Sequence, residues 1–213
     1  MTDRTVRICS MRAVENGARL VINLEISTAS GVEKQVLCPL TSRLDAVPRV
    51  GIITEEELSF YREESLFADA LAMGYRYLGA ADRSPAALLQ KLVAAGVTRE
   101  RAKQVLIQLM HDGVLDEEKN ALREAERCEA KLWGDRRILA ALRAKGYSAS
   151  ALTAALAYLR ERDPVSRCAR LIKKRRMTLP QEEGAAARFA AALVRYGYTG
   201  SEIKAAVRLL TKE

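Results

Sequence analysis

Ten basic residues in the second half of the chain have the types and the spacing to bind anions. The run Lys173-Lys174-Arg175-Arg176 is the densest, and Arg167 and Arg170 precede it closely enough for a helix to place part of this set on one face. The remaining members are Arg136, Arg137, Arg143 and Lys145. Arginine can hold a phosphate or a carboxylate through two parallel hydrogen bonds. Both groups are therefore candidate contacts with a partner or with nucleic acid, and the alternative is solvated surface charge.

The positive charge of the chain is concentrated at its C-terminal end. The net charge is +8, and residues 164–213 contain 11 basic and 4 acidic residues, a net charge of +7. The segments 1–60, 61–115 and 116–163 each lie between −1 and +1. A local positive field of this kind attracts phosphate or an acidic protein surface.

The residues that could perform catalysis favour structural roles instead. His111, the only histidine, lies just before Gly113 near a predicted helix end. Capping of the helix C-terminus is a simpler role for it than that of a catalytic base. The acids Asp116-Glu117-Glu118 could hold a metal, but they also suit an N-cap and a first helical turn. No two of the cysteines form a Cys-x-x-Cys pair; they are Cys9, Cys38, Cys128 and Cys168. Neither a phosphate-binding P-loop nor a G-x-S-x-G motif is present, so we expect no catalytic residue, no metal and no cofactor.

Three segments, 88–109, 138–159 and 189–210, align without a gap. Each contains a glycine at the same place, Gly96, Gly146 and Gly197, at spacings of 50 and 51 residues. Glycine can adopt the left-handed conformation that ends a helix. Two positions after it stand residues that can cap the next helix, namely Thr98, Ser148 and Thr199. Each segment is therefore predicted to be a pair of helices joined at a glycine.

A third helix is predicted ahead of each pair, over residues 63–80, 116–132 and 164–176. The dipeptide Ser84-Pro85 suits a cap followed by the first helical residue. Since a unit of about 50 residues is marginal alone, stacking of such units is expected to bury their shared faces. The alternative is a compact helical bundle. Tyr147 and Tyr198 could stack on nucleobases, as Tyr196 could, but their equivalent positions favour packing between helices.

The first 50 residues instead show strand patterns. Residues 6–11 alternate apolar and polar side chains, the second half of residues 20–26 does so again, and Asn16-Gly17 between them is a strong hairpin signal. A short third strand over 36–38 is predicted at an edge because Pro39 follows it, with a turn over residues 27–34. Thr54 and Glu57 form a capping box that opens a helix.

The predicted fold is mainly α, with three tandem three-helix repeats in an elongated curved array behind a small N-terminal antiparallel β segment. Its divisions are residues 1–60, 61–115, 116–163 and 164–213. No apolar run reaches the roughly 20 residues of a membrane span, and charges interrupt the N-terminus where a signal peptide would be apolar. We therefore expect a cytoplasmic monomer without a membrane partner.

Several short motifs, in order along residues 50–213, resemble the RecX family. Residues 84–96, with Ser84, Leu88, Lys91, Leu92 and Gly96, resemble its S-x-x-E-L-x-x-K-L-x-x-x-G. The segment GVLDE (113–117) resembles its G-[YL]-[LI]-D-D, and residues 134–146 resemble its G-x-x-R-I-x-x-x-L-x-x-K-G. Residues 70–78 resemble its first helix. The sequence departs from the family over 120–129, where asparagine, glutamates and a cysteine replace the usual aromatic and basic residues.

The resemblance implies a regulatory protein that binds the RecA recombinase and its DNA filament and inhibits the ATPase and strand-exchange activities. It implies a part in recombination, DNA repair and the SOS response, without catalysis. The ten basic residues are then the expected contacts with RecA or with single- or double-stranded DNA. A helical module that binds DNA directly, without RecA, is the alternative function.

Overall fold

The computed structural model describes residues 4–180 and 183–211 of the 213-residue chain. These residues form four β-strands, which are β1 Thr5–Val14, β2 Arg19–Thr28, β3 Gly31–Leu37 and β4 Gly51–Ile53. They also form nine α-helices, which are α1 Glu55–Ala80, α2 Pro85–Ala94, α3 Arg99–His111, α4 Glu117–Ala130, α5 Asp135–Ala144, α6 Ala149–Arg160, α7 Pro164–Lys174, α8 Glu183–Arg195 and α9 Gly200–Leu210. The predicted class, mainly helical with a small N-terminal antiparallel sheet, is confirmed. Among the described helices, none combines the length and the hydrophobicity that a membrane span requires.

The strands form one antiparallel sheet in the order β3-β2-β1-β4. The predicted turn between β1 and β2 is confirmed, with φ angles of 56° at Asn16 and 88° at Gly17. β3 lies at an edge, as predicted, but it begins at Gly31. The second turn lies within the predicted residues 27–34, but it is shorter than expected, because only Ala29 and Ser30 separate the paired strands. β4 is missing from the prediction since three residues are too few to show an alternating pattern.

Helix α1 begins at the predicted capping box. The backbone N–H of Thr54 donates to Glu57 Oε2 at 2.8 Å, and the N–H of Glu57 donates to Thr54 Oγ1 at 3.1 Å. The helix then runs to Ala80 and crosses the predicted division between residues 60 and 61 without a break. Its side chains Leu58 and Tyr61 complete the core on one face of the sheet.

The contacts of the described residues divide the chain into two compact units. We call residues 4–79 and 92–112 the N-terminal unit, and residues 80–91 with the described part of 113–211 the C-terminal unit. The core of the N-terminal unit includes the apolar face of the sheet. The C-terminal unit contains one hydrophobic cluster from α4, α5 and α6, and another that joins α7, α8 and α9.

The three predicted glycines each end a helix in the same conformation. The φ angles are 91° at Gly96, 75° at Gly146 and 95° at Gly197. The predicted N-caps follow two residues later, and each accepts a backbone hydrogen bond through its side chain; they are Thr98, Ser148 and Thr199. The helix pairs are thus confirmed. Their arrangement as three tandem three-helix repeats in an elongated curved array remains a prediction.

Candidate binding surface

Helix α7 and the two residues after it contain six of the ten predicted basic residues. The helix starts at an N-cap, Asp163, whose carboxylate accepts the N–H groups of Val165 and Ser166 at 2.9 and 3.2 Å. One face of the helix is buried among α8 and α9 through Cys168, Leu171 and Ile172. The basic residues of the opposite face and of the helix end are exposed; they are Arg170, Lys173, Lys174, Arg175 and Arg176. We call these five residues the α7 basic surface.

The geometry of the helix end brings these five side chains together. Arg170 stands three residues before Lys173 and four before Lys174, so all three lie on neighbouring positions of the helix surface. Arg175 caps the helix, and Arg176 then takes a left-handed φ of 49°. Among the residues that the structure describes, no acid forms an ion pair with Arg170, Lys174 or Arg176. Their charges are therefore directed to solvent and are available to an external anion.

Arg167 does not belong to this surface, which corrects the prediction that it shares an exposed face with Arg170. Its side chain is 1% exposed, and Nη2 donates to Asp135 Oδ1 at 2.9 Å. Glu129 Oε1 lies 4.0 Å from Nη1, and that carboxylate also accepts the hydroxyl of Tyr158 at 2.9 Å. The Nε and Nη1 atoms have no hydrogen-bond partner in the described residues. Arg167 therefore joins α7 to α4 and α5 instead of facing a partner.

Arg137 also has an internal role that its sequence position does not reveal. Its guanidinium carbon lies 4.0 Å from the centre of the Trp133 ring and 5.4 Å from that of Tyr196. Its Nη1 donates to the carbonyl of Arg195 at 3.4 Å. The side chain is half-buried, so it links the start of α5 to the end of α8. Arg175 approaches the Tyr196 ring at 5.8 Å, which connects the α7 basic surface to this stack.

The other members of the second basic group are divided between surface and structure. Arg136 and Arg143 lie one heptad apart on α5, and both are exposed. Lys145 forms an ion pair with Glu124 Oε1 at 2.6 Å. Burial opposes ionisation of Glu124, but the hydrogen bond from Lys145 and the nearby positive charges outweigh it and lower its pKa. Only Arg136 and Arg143 are thus left with a solvent-directed charge in this group.

The two tyrosines that follow the glycines pack between helices, as predicted. Tyr147 is 7% exposed and Tyr198 is 0% exposed. The hydroxyl of Tyr198 donates to the carbonyl of Leu132 at 3.0 Å. Burial raises the pKa of Tyr147 to about 12 and that of Tyr198 further, so both phenols stay neutral at physiological pH.

The acidic run at the start of α4 has the structural role that its position indicates. Asp116 accepts the N–H of Lys119 at 2.9 Å, and Glu117 accepts the N–H and the hydroxyl of Ser148 at 2.7 and 2.9 Å. In residues 4–180 and 183–211, no group of three histidine, cysteine, aspartate or glutamate side chains is arranged to hold a metal ion. His111 is exposed and lies 3.4 Å from Asp112 through Nδ1.

The fold and this surface define a mainly helical protein in which helix pairs recur behind a small antiparallel sheet and one helix end is strongly basic. No protein-family model and no curated protein sequence matches the chain. Solved structures of RecX do match it in fold. A crystal structure of the regulatory protein RecX has a TM-score of 0.74 at 18% sequence identity, over 95% of this chain and 99% of its own. RecX from Lactobacillus salivarius has a TM-score of 0.59 at 17% identity, over 68% of this chain and 99% of its own.

The resemblance to RecX that the sequence motifs indicate is therefore found again in the fold, over 95% of this chain in one structure and 68% in the other. At this level of identity the likeness establishes the fold.

Proposed function

We propose that this chain is a regulatory protein of the RecX type, which binds the RecA recombinase and its DNA filament and inhibits recombinase and ATPase activity. The observation that carries the proposal is the α7 basic surface on a chain with the RecX fold. A nucleoprotein filament presents phosphates and protein carboxylates, and both are anions that clustered lysine and arginine side chains bind. The role proposed is binding and modulation, without catalysis by this chain.

The α7 basic surface suits an extended anionic partner better than a small ligand. It is exposed, being the outer face and end of a helix whose opposite face is buried. The arginine members can make bidentate contacts, while the lysine members add mobile point charges. Arg136 and Arg143 supply two further exposed cations on α5. Such a surface gives affinity that falls with salt, because binding releases counterions from the partner.

The first test is the ATPase activity of RecA on single-stranded DNA, titrated with this protein. We expect inhibition at protein concentrations below that of RecA, since a regulator of a filament acts on many subunits. A folded sample that leaves the ATPase rate unchanged would refute the proposed function.

The second test locates the contact. Lys173, Lys174, Arg175 and Arg176 are all replaced by glutamate, and inhibition is expected to weaken by about tenfold or more at physiological salt. The matched control replaces four other exposed cations by glutamate, namely Arg7, Arg12, Arg49 and Arg76. Both variants undergo the same change in net charge, so a general electrostatic effect would weaken them equally. If the α7 variant and the control inhibit RecA equally, the α7 basic surface is not the contact with the filament.

Direct DNA binding is the second candidate, and the same surface favours it. Its mark would be tight binding to duplex or single-stranded DNA in the absence of RecA, with a steep dependence on salt. If the glutamate variant loses DNA binding and RecA inhibition together, DNA contact is part of the mechanism. If it loses only the inhibition, the α7 basic surface contacts the recombinase itself.

A further inference from the structure

Two of the three glycine corners are occupied by the start of another helix. A corner here means the glycine with the residue on each side of it. At the corner of α5, the carbonyl of Lys145 accepts a hydrogen bond from the hydroxyl of Ser84, which caps α2. A Cβ added to Gly146 would lie 2.6 Å from the Cβ of Ala86 in the first turn of α2. The glycine therefore makes room for the helix start.

The corner of α8 repeats this arrangement with other residues. The carbonyl of Tyr196 accepts the N–H of Gly134 at 2.7 Å, and Gly134 is the N-cap of α5. A Cβ added to Gly197 would lie 2.5 Å from the backbone nitrogen of Arg137. In both corners, then, the residue that caps one helix donates to the carbonyl just before the glycine that ends another.

The third corner, Ala95-Gly96-Val97 at the end of α2, has the same backbone and no such occupant. Its glycine has a φ of 91°, close to the values at the two occupied corners. A Cβ on Gly96 would meet no atom within 4 Å, and Ala94, Ala95 and Gly96 are exposed. Within the described residues, no backbone N–H donates to the carbonyl of Ala95. The neighbouring Val93 is 42% exposed.

We propose that the Gly96 corner binds the start of a helix in the partner protein, which on the proposed function is RecA. The two occupied corners define the chemistry of the occupant: an N-cap residue that offers a hydroxyl or N–H, with backbone or a small side chain in the first turn. The end of α2 presents carbonyl oxygens and the negative end of its dipole, so it selects a donor and disfavours phosphate. The corner therefore contacts protein, whereas the α7 basic surface contacts anions.

The starts of α2 and α5 in a second copy of this chain are poorer occupants. The two helix starts known to fit such a corner begin at Ser84 and Gly134, and both are already bound within the chain. Releasing either one would break the packing of the C-terminal unit. A helix start on another protein carries no such penalty.

The test fills the corner without disturbing the rest of the fold. In Gly96→Asn the new side chain occupies the space that the helix start needs, and asparagine tolerates positive φ better than most residues do. Gly17→Asn is the matched control, because Gly17 has a φ of 88° and also meets no atom within 4 Å of an added Cβ. The backbone strain is thus alike in both variants, and thermal melting checks that both are folded. Ala95→Gln keeps the glycine, adds a side chain at an exposed residue of the corner, and is the second variant if Gly96→Asn does not fold.

We expect Gly96→Asn to require about tenfold more protein than wild type or Gly17→Asn for half-inhibition of the RecA ATPase. If wild type inhibits and Gly96→Asn inhibits equally well, the corner proposal is overturned and the proposed function stands. If the wild-type protein does not inhibit RecA, the proposed function is refuted, and RecA is also excluded as the partner that occupies the Gly96 corner. A dimer in sedimentation that Gly96→Asn abolishes would overturn the proposal in favour of self-association.

Discussion

The helices α4–α6 and α7–α9 share a frame of glycine corners and capped helices, but they use positive charge in different ways. On α4, Arg123 and Arg127 both pair with Asp82, and Arg127 also pairs with Glu124. Lys145 at the end of α5 pairs with the same glutamate. Three cations of α4 and of the end of α5 are thus paired with neighbouring acids, and two of them, Arg123 and Arg127, join α4 to the segment before α2.

In the described part of α7–α9, no acid forms an ion pair with Arg170, Lys174 or Arg176. Residues 164–213 contain 11 basic and only 4 acidic residues, so the α7 basic surface stays charged towards solvent. The exception is Arg167, which lies in the core and is paired. The same frame of glycine corners and capped helices can therefore carry either paired or exposed cations, and the position of the acids decides which.

The largest effect is expected at Arg167, the buried cation of α7. Replacing it with methionine leaves Asp135 as a half-buried carboxylate without its cation, so the free energy of unfolding should fall by about 3 kcal/mol. Arg170→Met on the exposed face of the same helix is the control and should change it by less than about 0.5 kcal/mol. Urea unfolding measures both.

The double variant Arg167→Met with Asp135→Asn removes both charges and should recover part of the loss. If Arg167→Met and Arg170→Met are equally stable, the buried ion pair of Arg167 contributes no more to the free energy of unfolding than an exposed side chain of α7 does.

A smaller effect is expected from the two tyrosines at equivalent corners. Tyr198→Phe removes the buried hydrogen bond to the carbonyl of Leu132 and should lower the free energy of unfolding by about 1 kcal/mol. In the described residues the hydroxyl of Tyr147 makes no hydrogen bond, so Tyr147→Phe should be nearly neutral. Thermal melting of the two variants side by side checks the difference, and a larger loss in Tyr147→Phe would contradict it.

The smallest effect is a pH dependence of opposite sign in two carboxyls. Burial raises the pKa of Asp135 above its ordinary 3.8, although the charge of Arg167 opposes this. Between the unfolded and folded pKa values the folded state holds more protons, so the contribution of Asp135 to stability falls as pH rises through that window. The pKa of Glu124 is lowered from 4.5, so its contribution is present above that pH and is lost as pH falls through the folded pKa.

Urea unfolding of wild type, Asp135→Asn and Glu124→Gln at several pH values from about 3 to 6 separates the two contributions. Relative to wild type, Asp135→Asn should become comparatively more stable as pH rises, and Glu124→Gln comparatively less stable. The same direction for both variants would contradict the assignment of the two environments.

The sequence predicts what local patterns determine. The hairpin at Asn16-Gly17, the three glycine corners and the caps at Thr98, Ser148 and Thr199 all follow from the conformational preferences of single residues. β4 escapes prediction because it is only three residues long and pairs with the distant β1.

The site is less predictable because long-range contacts decide which cations stay exposed. Nothing in the sequence distinguishes Arg167 from Arg170. In the fold, however, Arg167 is buried and pairs with Asp135, which lies 32 residues earlier in the chain. Arg137 is held by Tyr196 on another helix pair and by Trp133, whose part in the site no sequence motif indicates. A run of basic residues predicts a positive surface, but only the packing of the helices shows which of these residues are exposed.

The stack beneath Arg137 gives the chain an internal optical probe. Trp133 is the only tryptophan, it is half-buried, and a guanidinium lies 4.0 Å from its ring centre. Its emission therefore depends on how closely α5 and the end of α8 approach each other. Movement of this joint when a partner binds can be followed by fluorescence in the unlabelled, unmodified protein.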